Sequence, residues 1–197
     1  MPGSRLIGRT ATLHEVEEYL AARRNVMLVG PAGSGKTAII RDVHREGLLV
    51  VDPFAAITTP RAAALRRVLD RGALVIGATR SLDRCDMGHV GRVRWRFDRV
   101  YLRPLPPRDI RRILRHALAA YGAGELAPDA HWMSEAISAA GGLPGRAVAL
   151  ASVVAARWRE RRTLVPPRFA LVIAWQDSLP PPGDLVTPPR RPGDFSL

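Results

Sequence analysis

The sequence predicts an α/β fold: a small, about four-stranded parallel sheet flanked by helices, with a helical unit after it. Three observations carry this expectation. Short apolar runs alternate with helix-period segments through the first hundred residues, the pattern of successive βαβ units. A glycine-rich turn, Gly30–Thr37, joins the first apolar run to a helix. After Pro104 only helical periodicity continues, until prolines dominate the composition.

The elements follow in order. Thr12-Leu-His-Glu15 has the form of a capping box, opening a helix with Leu13, Val16 and Leu20 on one face and Asn25 at its end. Val26–Val29 is an apolar run ending at glycine, as a buried strand would. Thr37–Glu46 reads as a helix with Ile39, Ile40 and Val43 inward and Gly47 as its stop. Leu48–Asp52 reads as a second buried strand. Thr59 and Pro60 suit the N-cap and first position of a helix that turns Leu65, Val68 and Leu69 inward and stops at Gly72. Ala73–Gly77 is a third strand and Arg99–Leu102 a fourth. Pro107 opens a helix with Ile110, Ile113, Leu114 and Leu118 on its apolar side; Pro128 opens another, and Leu143-Pro144-Gly145 leads into a third near 145–160. Eight of the 17 prolines fall in 166–197, which sets that stretch apart. Phe169–Gln176 is expected as one short ordered element and 180–197 as unstructured tail. No repeat is visible. The expected units are therefore 1–103 (α/β), 104–165 (helical lid) and 166–197 (proline-rich tail).

Charge narrows the partners. The net charge of +12 over 197 residues exceeds what arginine-rich codon usage explains, since that bias selects arginine over lysine without adding cations over anions. Such an excess attracts polyanions, nucleic acid foremost, and otherwise an acidic protein. One cysteine, Cys85, excludes an intrachain disulfide and suits a reducing compartment. Cys85-Asp-Met-Gly-His89 lacks a second cysteine pair and reads as a loop, not a metal site. MPGSRLIGRT carries no long apolar core, and the longest apolar run, Ala147–Ala156, is too short to span a bilayer. A cytoplasmic protein without membrane contact is expected.

Gly30-Pro-Ala-Gly-Ser-Gly35-Lys36-Thr37 matches G-x-x-x-x-G-K-[ST] completely, between a strand and a helix. Glycines let the backbone wrap phosphate oxygens, and the N–H groups of Gly33–Thr37 point inward at a helix N-terminus. Lys36 is the single lysine among 30 basic residues. Its ammonium is compact, where an arginine fork is wide and planar, so this position resists the drift to arginine seen elsewhere. Lys36 is expected on the β and γ phosphates of ATP and Thr37 on Mg²⁺. Asp52, at the C-terminal end of its strand, is the second expected metal contact.

The order of these features resembles an AAA+ P-loop ATPase over about residues 5–160, in the branch that includes origin initiators, STAND proteins and transposon helper ATPases. Arg5-Leu-Ile-Gly-Arg9 resembles the family's segment near the adenine. The resemblance implies a nucleotide site of Ile7 and Gly8, the loop residues Gly30, Pro31, Ala32, Gly33, Ser34, Gly35, Lys36 and Thr37, then Ala38 and Arg146. It implies Asp52 as the Walker B aspartate and Thr79 as sensor 1. Arg96, in Arg94-Trp-Arg-Phe97, resembles a trans-acting arginine finger, with Arg92 and Arg94 competing for the role. Arg146, in Gly142-Leu-Pro-Gly-Arg146, resembles sensor 2. A finger in trans implies a homo-oligomer.

Two departures qualify what the resemblance implies. Only about ten residues lie between the start of the loop helix and the start of the Leu48–Asp52 strand, so a strand and helix usual in the family are missing. Where the family has a catalytic glutamate, Pro53 stands, and proline cannot act as a base. No glutamate lies between Glu46 and Glu125; Asp83 or Asp86 are the available substitutes. Loss of a positioned base lowers turnover on the order of 10²–10⁴-fold. The expected function is thus an ATP-binding, DNA-associated ATPase or regulator. The alternative is a hydrolysis-deficient, nucleotide-gated switch that binds a protein partner; a small-molecule kinase ranks behind both. Arginines concentrate at 92–99, 108–115 and 157–168, with Arg108, Arg111, Arg112 and Arg115 on one helix side as a candidate phosphate stripe. The prolines of 166–192 are a candidate docking tail for a protein partner.

Overall fold

A computed structural model describes residues 6–177. Arg5 and the expected tail at 180–197 lie outside the described residues. Four parallel strands, β1 (Asn25–Val29), β2 (Leu48–Val51), β3 (Leu74–Thr79) and β4 (Phe97–Tyr101), pair in the order β2-β3-β1-β4. The central strand β1 aligns Val29 with Thr79 on one side and with Tyr101 on the other. The C-terminal ends of β1, β3 and β4 therefore form one edge, where the chain reverses direction across the sheet, and that is where open α/β sheets bind ligands.

Strand alternation divides the core. Val26 and Leu28 pack with Leu13, Val16 and Leu20 of α1 (Thr10–Ala21) and with Ile39, Ile40 and Val43 of α2 (Lys36–Val43). Met27 and Val29 face the opposite layer, with Leu65 and Leu69 of α3 (Thr59–Asp70) and Met87 of α4 (Arg84–Met87). Gly77 has no side chain because Phe54 occupies the space: a Cβ there would lie 2.1 Å from the Phe54 ring. A third core joins α5 (Pro107–Ala120), α6 (Ala130–Ala140), α7 (Pro144–Arg161) and α8 (Pro167–Asp177) around Leu114, Ala136 and Leu150. Within it Trp132 donates its indole N–H to the Val165 carbonyl, 2.8 Å away.

Several local expectations are corrected. Helix α1 begins at Thr10, not after Thr12, and Asn25 opens β1 instead of closing the helix. The Asn25 amide is used across the sheet: its Oδ1 accepts from the Val75 N–H and its Nδ2 donates to the Arg96 carbonyl. Strand β2 is not buried. It is the sheet's outer strand, with Leu49 42% and Val50 36% exposed, because no further strand covers it. Residues 84–96, for which no element was expected, form α4 and a 3-10 helix from Gly88 to Arg96. Arginine at every second position from 92 to 96 hides any helical stripe there.

Candidate nucleotide site

The site is built where β1 meets α2. Gly33 and Gly35 adopt φ of +78° and +98°, backbone that L side chains rarely adopt, and this curls the loop. The Lys36 ammonium folds into that curl and donates to the carbonyls of Gly30 (2.6 Å) and Pro31 (2.9 Å), with Ser34 Oγ at 3.5 Å. Acceptors converging on one point suit a tetrahedral ammonium, not a planar guanidinium. Burial pushes Lys36 below its ordinary pKa; Asp52 and Asp86 oppose this, and Arg80 adds to it.

Thr37 Oγ1 donates to Asp52 Oδ2 at 2.6 Å, and both residues are exposed. A hydroxyl and a carboxylate held together beside a phosphate loop are hard oxygen ligands of the type Mg²⁺ takes. The residues thus fit a magnesium ion.

A cavity of about 590 Å³ opens on the other side of the loop. Ile7, Arg9, Gly35, Ala38, Pro144 and Val148 are among its walls. Its volume and mainly apolar lining suit the base and sugar of a nucleotide. Ile7 and Ala38 line this cavity. Gly8 does not: its φ of +72° lets the chain pass Asp109, whose Oδ2 would sit 2.7 Å from a Cβ. Arg9, absent from the expected site, is 6% exposed, and its Nη2 donates to the Ser34 carbonyl at 2.8 Å. Its Nε is buried without a partner, which leaves a donor for a polar atom of a bound ligand. Burial pushes the Arg9 guanidinium below its ordinary pKa.

The other expected residues are dispersed. Thr79 is buried, and its hydroxyl lies 2.7 Å from the Ser81 carbonyl oxygen and 3.1 Å from that of Asp86. Its hydrogen holds the next loop together instead of facing the phosphate loop. The neighbouring Arg80, not singled out from sequence, lines a cleft with Gly30 and Pro31 and acts electrostatically on Lys36. Asp86 also acts on Lys36, and its carboxylate is 2.7 Å from Ser81 Oγ. Arg146 is exposed, its backbone lies over Gly33, and its side chain has no partner among the described residues. Arg96 sits at the far, N-terminal end of β4, paired with Asp70 at 2.6 Å and stacked on Trp95. Strand β1 alone separates it from Gly30 by roughly 16 Å, at ~3.3 Å per residue. Trp95 itself is 73% exposed. No group of three or more metal-ligating side chains occurs among the described residues.

The architecture matches solved structures. RuvB of Thermotoga maritima, described as a Holliday junction branch migration motor, superposes with a TM-score of 0.57 at 13% identity, over 85% of this chain and 69% of that one. Hsp104 of S. cerevisiae in complex with casein gives 0.58 at 20% identity, over 80% of this chain and 38% of that one. Both are AAA+ P-loop ATPases. This chain has the AAA+ P-loop fold. No family model and no curated protein sequence matches it. Within the AAA+ fold, Asp52 directly follows β2 and lies beside Thr37, and the first turn of α7 meets the loop, where Gly145 donates its N–H to the Gly33 carbonyl at 2.8 Å. No helix among the described residues is long and apolar enough to cross a membrane.

Proposed function

We propose that this protein is an ATP·Mg²⁺-binding ATPase or switch that assembles with copies of itself and works on or beside nucleic acid. The observation that carries the reading is the Thr37–Asp52 hydrogen bond at the foot of the Gly30–Thr37 loop. It joins the two magnesium-binding positions across fifteen residues of sequence, as a fortuitous glycine turn would not. Bound ATP·Mg²⁺ would supply a transferable γ-phosphoryl group whose charge the metal offsets. Lys36 neutralises phosphate charge, Thr37 and Asp52 hold the metal, Arg9 steadies the loop through Ser34, and Arg80 and Arg146 supply cations near the terminal phosphate. Residues 1–103 act as the nucleotide-binding unit, 104–165 as its lid and 166–197 as a tail for a protein partner. A cytoplasmic setting fits these roles.

The slow-hydrolysis reading is favoured by one feature, Pro53 after Asp52. Asp86, electrostatically coupled to Lys36, is the better placed of the two substitute bases. Arg96 can reach a nucleotide only on a neighbouring copy, so its role depends on assembly. Calorimetry with Mg·ATP on the wild type and Lys36→Ala tests the core of the proposal. Heat that disappears in the variant supports it; no heat in the wild type rejects it.

A further inference from the structure

A second cavity, of about 750 Å³, lies between α3 and the 84–96 segment, on the opposite sheet face from α1 and α2. Arg66, Arg84 and Arg92 converge on it, with His89 beside them. No acidic residue lines it. None of the three arginine side chains enters an ion pair or hydrogen bond among the described residues, whereas Arg24, Arg96 and Arg162 are each paired with an acid. His89 Nε2 lies 3.2 Å from Thr59 Oγ1, which fixes the ring at the rim. The remaining wall is mostly small, Ala62, Ala63, Gly88 and Gly91 among it, so a ligand backbone can approach closely.

Three like charges held together without counter-charge repel one another, and an anion relieves that repulsion. The volume falls in the range of sites that hold whole ligands, not a single ion. Few apolar side chains are present to grip a base, while guanidinium groups suit phosphate oxygens. We infer that this groove is a nucleic-acid backbone site, in which Arg66, Arg84 and Arg92 each contact phosphodiesters without reading bases. The inference rests on the nucleic-acid part of the proposed function and gives it a location. One wall of the groove meets the turn that follows Asp52: a Cβ on Gly88 would lie 3.7 Å from the Ala55 carbonyl oxygen and 3.8 Å from that of Phe54.

The test is fluorescence anisotropy of the full chain with labelled duplex and single-stranded DNA, from low to moderate salt. The variants are Arg66→Ala/Arg84→Ala/Arg92→Ala and, on α5, Arg108→Ala/Arg111→Ala/Arg115→Ala. Each removes three charges, and Mg·ATP binding verifies that each is folded. The groove variant should reduce the slope of log affinity against log salt by about 2–3, at ~0.9 per phosphate contact. The α5 variant should change it by less than about 1. Lysine at the same three groove positions should restore most of the slope, since a phosphodiester needs only the charge. Equal losses in both triple variants would overturn the groove as a site, while leaving DNA binding intact. Undetectable binding by a wild type that still binds Mg·ATP, or tighter binding of a phosphopeptide than of DNA, would overturn the nucleic-acid assignment itself.

Discussion

Gly145 stands so close to Gly33 that a Cβ on it would lie 2.7 Å from the Gly33 Cα. The first turn of α7 thus rests on the main chain of the phosphate loop. Gly145→Ala forces the two apart, and overpacking of this kind costs about 1–3 kcal/mol. The expected result is a lowered Tm from that cost, together with weaker ATP binding because the phosphate loop is displaced. Calorimetry beside thermal melting checks it; unchanged affinity would show that the contact is incidental to binding.

Lys36 gives a pH signature. Its ammonium binds phosphate only when protonated, and burial lowers its pKa from the ordinary 10.5. Affinity for ATP should be flat near neutrality and fall as pH rises, beginning below pH 10.5. Lys36→Ala should bind weakly at every pH and lack that limb. A wild-type profile that stays flat through the alkaline range would remove Lys36 from the phosphate contact.

The Thr37–Asp52 pair should control metal dependence. Asp52→Asn keeps the shape and removes the charge, so magnesium should strengthen ATP binding much less than in the wild type. Thr37→Val should act in the same direction. In the double variant the losses should be less than additive, because both residues serve one ion. Binding titrations with and without magnesium supply the four corners of the cycle.

Turnover should be slow. With proline at position 53, the purified protein is expected to hydrolyse ATP on the order of 10²–10⁴-fold below an enzyme with a positioned base. Asp86→Asn should abolish the residue of activity while preserving ATP binding, and Asp83→Asn should not. Arg80→Ala should narrow the preference for ATP over ADP by about 10-fold or more, the weight of a hydrogen bond to a charged group. Steady-state phosphate release and competition binding read these effects.

Phe54 and Gly77 make a separate, structural prediction. Gly77→Ala introduces a methyl 2.1 Å from the Phe54 ring, so the ring must leave its place. Destabilisation of about 1–3 kcal/mol is expected, seen as a lowered Tm. Combining it with Phe54→Leu should recover part of the loss, because the smaller side chain vacates the contact.

The central features were legible because they are local. Eight contiguous residues define the phosphate loop, and short continuous apolar runs mark the strands. The four-stranded sheet followed from the short connection to β2 together with the acid at its end. What escaped was set by distant contacts. Leu49 and Val50 look like core residues until the strand order leaves them at the rim. Arg9 is a cation in a chain crowded with cations, and only the fold buries it against Ser34. That the Thr79 hydroxyl is held by the loop that follows also depends on the fold, since Ser81 and Asp86 reach it through their carbonyls. The arginines at 66, 84 and 92 are far apart in sequence and meet only across α3.

Helix α7 is eighteen residues long, with its first turn on the Gly33 carbonyl and Arg159 and Arg161 in its last turn. At ~1.5 Å per residue it is a stiff rod of about 27 Å. A tilt of about 10° at the glycine end swings the opposite tip by about 5 Å, more than the diameter of a water molecule. A displacement too small to notice beside the phosphates is thereby magnified into one that a neighbouring macromolecule would feel.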